Sequence, residues 1–251
     1  MERRTSLQSV PTVLGEIIGA IGEPDFTSVA AMELQRLTRF DLAAIIVHRE
    51  SHGSTVIFDD FDTVGCRSGV ETYAHTTHRI NPMLGAAQRG AVRARDFARK
   101  PLDITFSLQS HVVPAPDEEL GYRTVGWPAN HEEIGLYFEG WGGVVEFGLY
   151  RERSHTAASS HVLGALESLR WPLTAAFDRH RKFVGTARSA KWDEILSGRE
   201  KQICDLLLKG CSSDAVALEL QISRHTVKDH RKNIFRKLQV VSLAELFALA
   251  R

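Results

Sequence analysis

SRHTVKDHRKNIFRKLQV, from Ser223 to Val240, decides how this chain of 251 residues is read. Six of its residues are basic (Arg224, Lys228, Arg231, Lys232, Arg236 and Lys237), and only Asp229 is acidic. Val227, His230, Ile234 and Leu238 recur at spacings of three, four and four, which predicts the inner face of a helix capped by Ser223. Lys228, Asp229, Lys232 and Arg236 then project from the opposite side. Such a helix is expected to hold itself in place by its apolar stripe and to offer a basic side to a polyanion.

Upstream, Ser197-Gly198-Arg199-Glu200 has the form of a capping box, in which serine and glutamate satisfy each other's backbone donors. The helix behind it buries Ile203, Leu206 and Leu207 with Cys204, and Gly210 closes it. Ser212 or Ser213 caps a further helix with Val216, Ala217 and Leu220 inward. A turn at Gln221-Ile222 leads to Ser223, and a last helix starts at Ser242. Two short helices joined by a tight turn, the second basic, make a helix-turn-helix.

LSGREKQICDLLLKG, SSDAVALELQIS and HTVKDHRKNIFRKLQV together resemble the LuxR-type DNA-binding domain, also called GerE- or NarL-like, over residues 192–251. The resemblance implies four helices, the third entering the major groove and the fourth often pairing two copies. It places base contacts on Lys228, Asp229 and Lys232 and a phosphate contact on Thr226. By charge, Arg224, Arg231 and Lys237 are expected phosphate partners. Ser223 at the cap and Arg236 on the outward side complete the candidate DNA-binding set. Asp229 departs from the family, which commonly has an apolar residue there. A carboxylate beside DNA is repelled unless it accepts from a cytosine amino group. The alternative is that it pairs with Lys228, Arg231 or Lys232. The family favours glycine where Gln221 and Gln239 stand, so both turns are expected to be strained or differently shaped. His230 matches the family's histidine and reads as a packed, hydrogen-bonded core residue.

The rest of the chain is of another character. Its net charge of zero hides an asymmetry. Residues 190–251 hold 11 basic and 8 acidic residues, whereas residues 1–189 hold 20 and 23. With 43% hydrophobic residues the chain is rich enough for a sizeable core. No apolar run approaches a membrane span, MERRTSLQSVP lacks the apolar core of a secretory signal, and Cys66, Cys204 and Cys211 show no CxxC spacing. A cytoplasmic protein with reduced thiols is expected. The pattern predicts helices over 9–21 and 25–40, then strands over 42–50 and 54–61 joined by a turn at 51–54. It predicts helices over 70–78 and 83–90, and strands over 90–97, 120–128, 133–140 and 143–152. A long helix over 157–183 follows, bent by Pro172, and then a linker over 184–191 and the helical domain 192–251. The expected fold class is α+β. Residues 1–183 resemble in pattern the GAF- or PAS-like sensor architecture, an antiparallel sheet flanked by helices.

Three control mechanisms suit such an amino-terminal domain. A phosphorylated receiver needs a late lysine, but Lys100 and Lys182 are the only lysines before Ala190, so it is rejected. Acyl-homoserine-lactone receptors carry a Trp, a Tyr four residues on and an Asp-Pro beyond. Asn81-Pro82 keeps the proline, with Ser68 and Thr72 at the Trp and Tyr positions and Tyr73 one residue away. The third, favoured reading is a sheet that cups another small molecule, with Phe58, Tyr73, Trp127, Tyr137, Trp141 and Tyr150 as candidate wall residues. Ordinary core is the competing reading for each of them. His75 and His78, with Glu71 and Asp96, have a spacing compatible with a metal, but no metal or cofactor is expected, and no catalytic motif is found. The expected protein is therefore a transcription regulator rather than an enzyme or an adaptor with a weakened helix-turn-helix. As a homodimer it would bind an imperfect palindrome in double-stranded DNA and engage RNA polymerase. Leu166, Leu169, Leu173, Leu243, Leu246 and Phe247 are the candidate dimer contacts.

Overall fold

The computed structural model describes residues 9–49, 53–85, 90–97, 108–153, 156–208 and 210–249, with the side chains at 186–191, 193, 244, 247 and 248 outside that description. The chain divides into two compact units, residues 1–182 and 183–251. Helices α1 (Val10–Gly19) and α2 (Phe26–Thr38) lead into strands β1 (Leu42–Arg49) and β2 (Gly53–Asp59). Helix α3 (Arg67–His75) is followed by β3 (Gly90–Arg93), β4 (Val112–Pro114) and β5 (Tyr122–Thr124). Strands β6 (His131–Gly140) and β7 (Gly143–Glu152) then precede α4 (Ser160–Ile195). Four short helices close the chain: α5 (Gly198–Leu208), α6 (Ser213–Glu219), α7 (Arg224–Leu238) and α8 (Leu243–Leu249). The fold is α+β.

The first unit is built on an antiparallel sheet in the order β2-β1-β7-β6-β3. Strand alternation gives it two different faces. Ala43, Ile45 and Val47, Ile134, Leu136 and Phe138, and Val145, Phe147 and Leu149 form one of them. They meet Val13 and Ile17 of α1, Phe26 and Leu34 of α2, and Leu166, Leu169, Leu173 and Phe177 of α4. Each of these α4 side chains is fully buried, which stabilises the unit by about 1.5–3 kcal/mol apiece. Leu42, Ala44, Ile46 and Tyr150 on the other face pack with Phe61, Val70 and Tyr73 under α3 and the loop before it.

Several expectations change here. Leu166, Leu169 and Leu173 serve the core of their own unit and are not open to a second copy. Among the described residues, the large hydrophobic side chains that α4 does expose are Trp171 (69%) and Phe183 (58%). Residues 184–191 continue α4 and are not a break, because lacking an apolar stripe does not stop a helix when no glycine cap or proline follows. The predicted helix at 70–78 begins earlier, at Arg67, and ends at His75 in a short 3-10 turn. Only Tyr122–Thr124 of the strand predicted over 120–128 pairs, with β4. The turn at 51–54 and the segment 83–90 lie partly outside the described residues.

The second unit has its own core of Leu196, Ile203, Cys204, Leu207, Val216, Val227, Ile234, Leu238, Val240 and Leu246. Leu246 is fully buried there and Leu243 packs against it, so both belong first to this core. The side chain of Phe247 lies outside the described residues.

Candidate nucleic-acid interface and effector cavity

The helices of the second unit begin where their caps dictate. At α5 the Ser197 amide donates to Glu200 Oε2 at 2.8 Å, and the Glu200 amide lies 3.4 Å from Ser197 Oγ. Ser212 Oγ accepts from the Ala215 amide at 3.2 Å and starts α6. Ser223 Oγ accepts from the Thr226 amide at 3.0 Å and starts α7, with the Thr226 hydroxyl 2.8 Å away. Each cap contributes about 1 kcal/mol. The serine of the candidate DNA set is thus first a helix starter.

Along α7, Val227, Ile234 and Leu238 are buried, and His230 is only half-buried. The inward step between Val227 and Ile234 falls between 230 and 231, as 3.6 residues per turn requires, and both residues are half-buried. The Arg231 side chain lies there, its guanidinium over the Phe235 ring and its Nη1 2.8 Å from Ser213 Oγ. Lys237, expected at a phosphate, closes onto Glu200 with Nζ 2.6 Å from Oε2. The physical reason is the burial of that carboxylate, 4% exposed, which needs a counter-charge. Burial opposes ionisation of Glu200, but the Lys237 ammonium and the Ser197 amide and hydroxyl outweigh it and hold its pKa below the ordinary value.

Two of the six cations are therefore tied to the scaffold. Arg224, Lys228, Lys232 and Arg236 remain exposed, and Asp229 with them. Lys228, Lys232 and Arg236 follow one another at steps of four and so share one side of the helix. Arg224 pairs with Asp214 at 3.1 Å, both being largely exposed, which is a weak surface contact. Among the described residues Asp229 forms no ion pair with Lys228, Arg231 or Lys232. Gln221 and Gln239 both adopt the left-handed backbone, with φ of 50° and 55°, where glycine is at ease.

The second face of the sheet in the first unit lines a half-open cavity of about 60 Å³. Tyr73, Trp127 and Tyr150, three of the candidate wall residues, line it. Tyr137 is fully buried in a cluster with Met83 and Ala94. Phe58 and Trp141 belong elsewhere. Both pack on the helix-covered face, Trp141 against Phe177 and His180 with its amide on Asp178 Oδ1 at 2.9 Å.

A polar network that sequence reasoning missed is built on Glu146, 1% exposed. Tyr73 donates to its two oxygens at 2.8 and 2.9 Å, and Tyr137 donates to Oε1 at 3.1 Å. His48 Nε2 lies 2.7 Å from Oε2, and Asn81 Nδ2 donates to the Tyr73 oxygen at 2.6 Å. Burial first, and then the neighbouring carboxylates, keep Tyr73, Tyr137 and Tyr150 protonated as donors. Paired Gly135 and Gly148 make room for the rings, since a side chain on either would collide with Tyr137 or with Tyr150. Alternation in β6 and β7 could have placed Glu133, Glu146 and Tyr150 on one face, but not what that face meets. His75 and His78 each engage a backbone carbonyl, and among the described residues no three metal-ligating side chains converge. Among them, too, no helix is long and apolar enough to cross a membrane.

Residues 194–250 match the family described as bacterial regulatory proteins, luxR family. An HTH-type transcriptional regulator from the exeN 3' region of Aeromonas salmonicida is 48% identical over 66 residues, 26% of this chain and 34% of that protein. The response regulator protein TodT of Pseudomonas putida is 49% identical over 53 residues, 21% of this chain and 23% of TodT. The match thus spans about a third or less of these relatives' length. Among solved structures, the VqsR LBD domain of Pseudomonas aeruginosa aligns with a TM-score of 0.46 and 14% identity, over 69% of this chain and 96% of that one. Escherichia coli SdiA aligns with a TM-score of 0.34 and 15% identity, over 98% of this chain and 91% of that one. The capped, basic α7 stands inside the segment that matches the family, and residues 194–250 are a LuxR-type helix-turn-helix domain.

Proposed function

We propose that this protein is a DNA-binding transcription regulator whose first unit takes a small-molecule effector. The observation that carries it is the division of charge on α7: Lys237 and Arg231 fasten the helix, while Lys228, Lys232 and Arg236 stay exposed on one side. A chain with zero net charge has no other reason to bind a polyanion than such a local stripe. Lys228 and Lys232 reach base edges, Arg224, Thr226 and Arg236 contact phosphates, and Asp229 accepts from a cytosine amino group. The protein acts in the cytoplasm as a homodimer on half-sites about one helical turn apart and engages RNA polymerase. The dimer surface draws on the exposed side of α4 and on α8. No catalytic step belongs to this reading.

A mobility-shift assay on selected duplex DNA tests it. Lys232→Ala is expected to weaken binding by about 1–3 kcal/mol, the value of one good base contact. Equal affinity of the variant and the parent across a salt series sinks the role of Lys232. Failure of the parent to shift any duplex sinks the regulator reading and favours an interaction adaptor.

A further inference from the structure

The wall of the first unit's cavity is unbalanced in charge. Three carboxylates line it, Glu118, Glu119 and Glu133. Glu118 is met by Arg153 at 2.7 Å and by Arg123 at 3.8 Å, and Glu119 by Arg95 at 2.8 Å. Glu133 has no basic partner among the described residues. Among the described residues its Oε1 accepts from the Tyr150 hydroxyl alone, at 3.2 Å. Three rings line the same cavity, with Trp127 in contact with both others, centred 5.4 Å from Tyr73 and 5.3 Å from Tyr150.

A carboxyl group away from water is stable when it keeps its proton or when it faces a cation. Burial, then the nearby Glu146, push the Glu133 pKa well above the ordinary carboxylate range. Glu133 thus lines the cavity half-buried, without a basic partner among the described residues, and its surroundings favour the protonated form. Aromatic rings beside a carboxyl group are the chemistry that holds an alkylammonium, through the negative charge of the ring faces and the counter-ion together. A volume of about 60 Å³ corresponds to roughly four to six water positions, which suits a head group of a few heavy atoms.

We propose that this cavity binds the protonated amine of a small ligand, with Glu133 as its counter-ion and Tyr73, Trp127 and Tyr150 around its alkyl carbons. The proposal rests on the reading of the first unit as an effector domain and names the ligand class. An arriving ammonium favours the ionised form of Glu133, so binding is coupled to proton release and affinity rises with pH until the amine itself deprotonates. The groups that share this balance are Tyr150, Tyr122, Glu119 and Glu146 on the acidic side and Arg123 and His131 on the basic side.

The test uses the full chain, with 2-aminoethanol, propylamine and butane-1,4-diamine as probes and ethane-1,2-diol, propan-1-ol and butane-1,4-diol as uncharged counterparts, at constant ionic strength. The expected result is a raised melting midpoint with at least one amine and none with its alcohol, and calorimetry in buffers of different ionisation enthalpy showing net proton release. Glu133→Gln is expected to bind that amine roughly thirtyfold more weakly or worse, the lower bound for removing one partner of a buried charge pair. Should this variant fail to fold, the amine-against-alcohol comparison and the proton count on the parent decide alone. A flat response to all three amines overturns the proposal, as does an equal response to amines and alcohols. A response confined to an acyl lactone overturns it while sparing the effector reading. No small-molecule response at all, in a protein that still shifts DNA, overturns both and leaves the DNA-binding reading standing.

Discussion

Lys237 differs from Lys232 and Arg236 in where its charge goes. Its ammonium lies 2.6 Å from a carboxylate that also caps α5, so one residue of α7 fastens the first helix of the domain to the third. The fold favours the ionised form of Glu200. Its contribution is therefore full above the ordinary carboxylate range and fades as pH falls through its lowered pKa. Lys237→Ala removes the main stabiliser of that charge, raises the pKa and starts acid unfolding at a higher pH. At neutral pH it is expected to destabilise the domain by about 1–3 kcal/mol, the range for a hydrogen bond to a charged group. Urea melts at pH 7 and pH 4 check both effects, and identical curves for parent and variant would refute the linkage. The capping box itself was legible in Ser197 and Glu200, because its two partners are three residues apart. The tie to Lys237 was not, because 37 residues separate it from Glu200 and charge alone assigned it to DNA.

At the scale of elements, the end of α7 shows how a cap can be right in form and suboptimal in residue. The Val240 amide returns to the Phe235 carbonyl at 3.0 Å, and Val240 is buried in the domain core, as in the glycine-ended caps of many helices. Gln239 must take φ of 55° for this to happen. Gln239→Gly relieves the side-chain crowding of that conformation at some entropic cost, with an expected net gain of about 0.5–1 kcal/mol. A thermal midpoint that does not rise would show that the turn holds glutamine without strain. The strain was legible beforehand because the family pattern has glycine there. Local signals of this kind are enough to start α5, α6 and α7 behind their serine caps. They misplaced the end of α4, where an unstriped stretch reads as a linker although nothing in 184–191 stops a helix. They also sent Phe58 and Trp141 to the cavity, since an aromatic at a strand end does not announce which face it will pack on.

The whole molecule has equal numbers of acidic and basic residues, so under the proposed function its attraction to DNA comes from local charge, above all that of α7. Four cations, Arg224, Lys228, Lys232 and Arg236, are exposed on that helix in each copy. The counterion-release rule assigns a slope of about −0.9 in log K against log salt for every phosphate neutralised. Two copies on one duplex, with all four cations at phosphates, set a ceiling of about −7 in magnitude, and base-directed lysines reduce it. The expected slope for the parent is accordingly about −4 to −6. Lys237→Ala leaves the slope unchanged, because that ammonium is tied to Glu200 and not to DNA, whereas Arg236→Ala lowers its magnitude by nearly two, one contact per copy. Fluorescence anisotropy across a salt series separates these outcomes. A slope change for Lys237→Ala as large as that for Arg236→Ala would mean that the Glu200 tie opens on DNA and that Lys237 joins the four exposed cations at the duplex. A slope near half the expected value would mean that one copy, not two, carries the contact.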